Sequence, residues 1–186
     1  MLTLQLVTNK AEMEGVLALQ QVNLRKNITE EEAESQGFLM AEYDLPFLTL
    51  LQSSSPGIIA KDGNRVVAYS LVALPDTARR HALLADLVAN IERCLFEGKP
   101  VENYAIVAQL CVSKEYRGQD LVQRLYGAFR DHYAGRYDFC VTDVAQANAR
   151  SLKAHQKRGF QVIDTLNYGG IAWDIVLWDW NKKSAS

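Results

Sequence analysis

The chain has 186 residues, 48% of them hydrophobic, enough apolar material for one domain over residues 1–186 whose core needs neither disulfides nor metal. A formal charge of -2 with a pI near 5.9 removes general attraction to nucleic acid or anionic membrane, and leaves small molecules or proteins as partners. Cys94, Cys111 and Cys140 are odd in number and lack C-x-x-C spacing, so free thiols in a reducing compartment, the cytoplasm, are expected.

Alternation in Leu2-Thr3-Leu4-Gln5-Leu6-Val7 predicts a strand and shows none of the blocks of a signal peptide; no eighteen-residue apolar run follows anywhere. Met13, Val16, Leu17 and Leu24 recur at helical spacing, which predicts a helix from Lys10 to about Leu24 with Asn9 as its N-cap. Thr29 and Glu32 have capping-box spacing, and the acidic run Glu30, Glu31, Glu32 and Glu34 suits a helix dipole; no histidine lies nearby to make it a metal site. Gly37 to Tyr43 reads as extended, and Asp44 to Leu51 as a short helix with Pro46 in its first turn. Ile58-Ile59-Ala60 and Arg65 to Ala73 form a hairpin about an Asp62-Gly63 pair. A helix from His81 to Leu95 is then broken by Gly98-Lys99-Pro100. Tyr104 to Val112 is an apolar strand, Arg117 to Tyr133 a helix, and Tyr137 to Val144 a strand, which together make a β-α-β crossover. Asn148 to Lys157 is another helix, Phe160 to Ile163 a strand, and Ile171 to Trp180 a last strand whose Trp173, Trp178 and Trp180 are expected to pack the sheet. Lys182 to Ser186 reads as a frayed tail.

Two segments carry chemistry. In Val112-Ser113-Lys114-Glu115-Tyr116-Arg117-Gly118-Gln119-Asp120-Leu121 a strand end is delivered to a helix N-terminus, where unpaired amides and the positive end of the dipole favour an anion. Arg117 adds charge and Gly118 admits close backbone approach. In the second segment, Asn148 to Phe160, Asn148 is a good N-cap, Ser151 and His155 share a helix face, and Gly159-Phe160 closes the helix. Each alone has a plainer reading, as a turn or as a partly exposed helix histidine.

At this separation the two segments resemble the GCN5-related N-acetyltransferase (GNAT) superfamily, most closely over Tyr104 to Phe160. Val112, Tyr116 and Arg117 match the lead-in of its phosphate loop, and Gly118 matches an extra glycine that many members carry. The principal loop glycine of the family falls on Asp120, and the later small residue on Val122. Downstream, Asn148, Ser151, Gly159 and Phe160 match, with His155 in the family's tyrosine position. The resemblance implies an α/β fold with a mixed, mostly antiparallel sheet and helices on both faces. It also implies an N-acetyltransferase that moves acetyl from acetyl-CoA to a primary amine, small molecule or peptide, by direct attack and without metal. In this reading the pyrophosphate rests on Arg117, Gly118, Gln119, Asp120, Leu121 and Val122. The pantetheine arm pairs along Gln109, Leu110, Cys111 and Val112, while Asn148 and Ser151 complete the cofactor side. The amide of Leu110 or Cys111 faces the acyl oxygen, and His155 is the acid for the leaving thiolate. Asp143 is the first candidate base, ahead of Tyr104, Glu42 and Glu34, and Cys111 is expected to pack rather than react. The segment from Ile28 to Leu51 is expected to shape the acceptor site, and a homodimer is left open.

Asp120 supports a second reading, a catalytically silent module of the same fold that binds a metabolite or a protein. A carboxylate about 5 Å from a pyrophosphate opposes it by roughly 3 kcal/mol at an effective dielectric of about 20. Against that, aspartate is favourable at a helix N-terminus and tolerates a positive φ.

Overall fold

The computed structural model describes residues 1–181, so the expected tail from Lys182 to Ser186 lies outside the described residues. In chain order the elements are β1 (Leu2–Leu6), α1 (Lys10–Gln21), α2 (Glu30–Gln36), α3 (Leu45–Ser54), β2 (Ile58–Asp62), β3 (Arg65–Ala73), α4 (Pro75–Ala78), α5 (Ala82–Ile91), β4 (Leu95–Phe96), β5 (Lys99–Pro100), β6 (Tyr104–Val112), α6 (Leu121–Tyr133), β7 (Phe139–Ala145), α7 (Ala149–Arg158), β8 (Gln161–Tyr168) and β9 (Ile171–Asp179). The side chains of Asn9, Thr29, Asp44 and Asn148 cap α1, α2, α3 and α7 by accepting from backbone amides of the first turn, as their short polar side chains allow.

Among the described residues, seven strands form one sheet in the order β1-β2-β3-β6-β7-β9-β8. Every neighbouring pair is antiparallel except β6 and β7, so the mixed, mostly antiparallel sheet is present. The core divides between its faces. Leu19 of α1, Leu48 of α3 and Leu87 of α5 pack one side, while Leu125 and Phe129 of α6 pack the other.

The parallel contact is short. Tyr104, Ala105 and Ile106 pair with Phe139, Cys140 and Val141, and beyond them the two strands part. At the fork the Thr142 hydroxyl donates to the Val107 carbonyl at 2.8 Å, satisfying a buried backbone acceptor that has lost its ladder partner. On its other edge β6 carries one extra residue: Leu71 faces Gln109 and Val72 faces Val107, so Ala108 bulges. A bulge bends its strand and leaves backbone groups outside the ladder. Here the Ala108 carbonyl accepts from the Tyr43 hydroxyl at 2.9 Å.

Several boundaries differ from the sequence expectation. Helix α6 begins at Leu121 instead of Arg117 because Gly118 and Asp120 have φ of 79° and 58°, a left-handed region through which no right-handed helix runs. Helix α1 stops at Gln21, and Leu24 instead makes a bridge to Leu39. That bridge is the paired part of the expected extended stretch from Gly37 to Tyr43. Helix α3 continues to Ser54, α5 is shorter than its pattern suggests, and Lys99–Pro100 of the expected breaker pairs with Leu95–Phe96 in the small β4–β5 hairpin. Strand β8 runs on to Tyr168, where Gly169 and Gly170 turn the chain into β9.

Candidate active site

A cleft of about 400 Å³ lies between the end of β6, the β6–α6 loop and α7. Leu110, Cys111, Val112, Arg117, Gly118, Asp120, Leu121, Val122, Asn148, Ser151 and His155 all line it. Gln109 and Asp143 line an adjoining chamber of about 110 Å³, which shares Leu110, Asn148, Ser151 and His155 with the cleft. Gln119 lines neither; its side chain donates to the Glu115 carbonyl at 3.3 Å.

The edge of β6 facing this space can be worked out from its ladder. The Ser113 amide donates to the Val67 carbonyl at 2.8 Å. Since antiparallel strands alternate bonded and non-bonded pairs, the Cys111 amide faces β3 and the Leu110 and Val112 amides face the open side. Of the two expected acyl-oxygen donors, Leu110 therefore has the amide directed toward the cleft. The Cys111 side chain is 6% exposed, and burial pushes its thiol up to about 12. It is a packing residue with almost no thiolate at neutral pH.

At the loop the backbone alone suits an anion, because positive φ at Gly118 and Asp120 frees the amides that precede α6. The side chains are less simple. The Arg117 guanidinium donates to the Asn23 side-chain oxygen at 2.7 Å and the Val112 carbonyl at 3.2 Å, so it ties the loop to the end of α1. Asp120 accepts no capping bond from the backbone, and its carboxylate lies 3.5 Å from the Lys157 ammonium, both largely exposed. Lys157 and Arg150 also line the cleft. The departure at Asp120 thus adopts the backbone conformation of a glycine and carries a cationic neighbour one helix away.

His155 is 6% exposed. Its Nδ1 lies 2.7 Å from the Ser151 carbonyl and its Nε2 lies 2.6 Å from the Tyr126 hydroxyl. A carbonyl only accepts, so Nδ1 carries the proton and the Tyr126 hydroxyl donates to Nε2. Burial lowers the ring's pKa to about 4. The imidazole is therefore neutral, with both nitrogens occupied, and it packs edge-on against Tyr126 and Phe160.

Asp143 stands half-buried in the smaller chamber. Burial, which outweighs a bond from its own amide and is reinforced by Asp86, raises its carboxyl to about 7. Such a group exchanges a proton near neutral pH. The other base candidates line neither chamber. Tyr104 has a buried hydroxyl with no partner among the described residues, Glu42 pairs with Lys26 and Gln21, and Glu34 is exposed.

Within the stretch from Ile28 to Leu51, expected as a region to shape the acceptor site, the residues that reach the chamber are not marked individually in the sequence. Phe38, Leu39, Met40 and Ala41 pass over the bulged strand and line the chamber, held by the Gln109 side chain, which donates to the Ala41 carbonyl at 2.7 Å. Gly37 was the available signal: it has φ of 78°, and a Cβ there would meet Asn148 Oδ1 at 2.9 Å. Leu83 and Trp173 supply further apolar wall. Trp178 and Trp180 pack the opposite face, as expected of the last strand.

A forked parallel strand pair opening beside a glycine-bearing helix start defines the class of protein. The model of the acetyltransferase (GNAT) family matches residues 23–160, and the chain belongs to that family. Solved structures agree in fold. The ribosomal-protein-S18-alanine N-acetyltransferase from Escherichia coli superposes with a TM-score of 0.66 at 12% identity, covering 99% of this chain and 97% of its own. Arabidopsis thaliana NAA60, solved with acetyl-CoA, gives 0.63 at 13% identity, covering 96% and 99%. The protein yncA from Salmonella typhimurium, solved with its cofactor acetyl-CoA, gives 0.62 at 13% identity, covering 100% and 98%. No curated protein matches the sequence significantly. Among the described residues no helix is long and apolar enough to cross a membrane.

Proposed function

We propose that this chain transfers the acetyl group of acetyl-CoA to a primary amine by direct attack. One observation carries the reading: the freed edge of β6 leads from an anion-favouring loop to a chamber in which Asp143 is the carboxylate. Family membership and relatives solved with acetyl-CoA support the donor. The residues present fit it, with loop amides and Lys157 and Arg150 for the phosphates and the outward Val112 amide for the pantetheine arm. Acetyl-CoA supplies an activated thioester. The chain holds the amine beside it in its unprotonated form, the ammonium proton having passed to solvent, and Asp143 takes the second proton, which nitrogen sheds as the C–N bond forms and the C–S bond breaks. The Leu110 amide stabilises the oxygen that gains charge. His155 acts here as a positioning residue for the Ser151 end of α7, and the departing thiolate takes its proton from solvent at the Ser151 hydroxyl.

Asp120 favours the silent-module reading, and ligand binding separates the two. Saturating CoA at one hundred times its dissociation constant is expected to stabilise the fold by about 2.7 kcal/mol in a thermal-shift titration. No shift at millimolar CoA supports the silent module. Asp120→Asn keeps a residue tolerant of positive φ while removing the charge, and is expected to tighten CoA about tenfold at low salt, less at high salt. Asp120→Gly is expected to do the same. Calorimetry showing equal or weaker binding in both variants would mean that Lys157 already neutralises the carboxylate.

A further inference from the structure

The acceptor chamber has an unusual balance of polar groups. Thr142 is committed to the Val107 carbonyl. Gln109 is held at both ends, donating to Ala41 and accepting from the Tyr69 hydroxyl at 2.6 Å. Asn148 is spent on the Ser151 amide and the Phe38 carbonyl, and both nitrogens of His155 are in use. The side-chain group left to meet a substrate is the Asp143 carboxylate, together with the Ser151 hydroxyl, whose contact with His155 Nδ1 is long at 3.4 Å. No lysine or arginine among the described residues lines the chamber; Arg117, Arg150 and Lys157 lie along the cofactor cleft instead. A second carboxylate, Asp86, lies close enough to Asp143 to act on it electrostatically. The rest of the wall is apolar: Met40, Leu83, Val144 and Trp173 among others, around about 110 Å³.

From this we infer that the acceptor is an amine on a small apolar group with no anionic substituent beside it: an alkylamine, an amino-acid amide or a peptide N-terminus, and not a free amino acid. The inference rests on the acetyltransferase reading and narrows its substrate. An ammonium group entering the chamber meets Asp143 and is attracted. The α-carboxylate of a free amino acid sits two bonds from the nitrogen and would enter the same space with no cation to pair with. Unpaired charge in a desolvated pocket is strongly disfavoured. Converting that carboxylate to an amide removes the penalty and keeps the rest of the molecule.

The test uses the whole chain and matched amines: leucinamide and isobutylamine against leucine, with thiol release from acetyl-CoA measured at pH 8 and amine binding measured on the CoA-loaded protein. Leucinamide and isobutylamine are expected to exceed leucine by about 100-fold or more in kcat/KM counted on the unprotonated amine. Asp143→Asn is expected to shrink the leucinamide-to-leucine ratio below about tenfold, because the repelling carboxylate is gone. Leucine turned over within tenfold of leucinamide by the wild type overturns the inference, as does failure of all three amines to bind the CoA-loaded protein. Failure to bind CoA at all overturns the acetyltransferase reading itself.

Discussion

Asp143→Asn is expected to lower kcat with the best amine by about 100-fold or more, the usual contribution of a positioned base, with little change in CoA affinity. In the wild type, kcat/KM counted on the unprotonated amine is expected to rise with pH and level off above about 7, where the buried carboxyl ionises. The variant should lose that limb. Stability moves the other way. The native carboxyl holds its proton to about pH 7, whereas an unfolded aspartate releases it near 3.8. The native state binds more protons between those values, so stability falls as pH rises through the window. Asn removes the loss, and after allowance for the carboxyl's partial exposure the variant is expected to gain about 1–3 kcal/mol at pH 8. Lower activity with higher stability is the signature of a group held in an unfavourable site for chemistry. Unchanged turnover with an unchanged pH profile would remove Asp143 from the reaction.

For His155, the expected result of replacement by phenylalanine is a loss of stability larger than its loss of rate. Phenylalanine keeps the ring packed against Tyr126 and Phe160 but leaves the Tyr126 hydroxyl buried without an acceptor, at a cost of about 1–3 kcal/mol. Adding Tyr126→Phe removes the orphaned hydroxyl and is expected to recover much of that cost, which a double-mutant cycle measures directly. The histidine's folded pKa of about 4 lies below its ordinary 6.5. Its contribution is therefore complete above about pH 6.5 and is lost as pH falls toward 4, and the variant should lack this acid sensitivity. As a positioning residue His155 is expected to cost less than about tenfold in kcat and to leave the basic side of the pH profile unchanged. A loss of 100-fold together with the disappearance of a basic limb would return it to the role of acid.

The two motif segments were legible in sequence because each is local. Strand periodicity, a glycine at a helix start, an asparagine cap and Gly159 at a helix stop depend on neighbours a few residues away. Leu121, Leu125 and Phe129 stand at i, i+4 and i+8, a helical spacing, but periodicity carries no sign of φ and so does not show that Gly118 and Asp120 delay the helix to Leu121. What sequence could not supply were pairings across the fold. The Tyr126–His155 bond turns an accessible-looking helix histidine into a buried neutral one. Thr142 reaching Val107, and Tyr43 reaching Ala108, exist only because the strands fork and bulge. Asp143 is marked in sequence only by its place near the end of a strand; its value as a base comes from burial beside Asp86, which no pattern in its own segment encodes. The acceptor wall at Phe38 to Ala41 was foreseen only as a region, since its shape depends on Gly37 against Asn148.

The central claim is amine-dependent acetyl transfer, and thiol release from acetyl-CoA by the wild-type chain at pH 8 tests it most directly, with the amine product identified by mass. The account predicts thiol release that requires leucinamide or isobutylamine, one acetyl group added to the amine for each thiol freed, and a loss of about 100-fold or more in Asp143→Asn. Thiol release that proceeds equally without any amine, or CoA binding with no acetylated product from either amine, would contradict it.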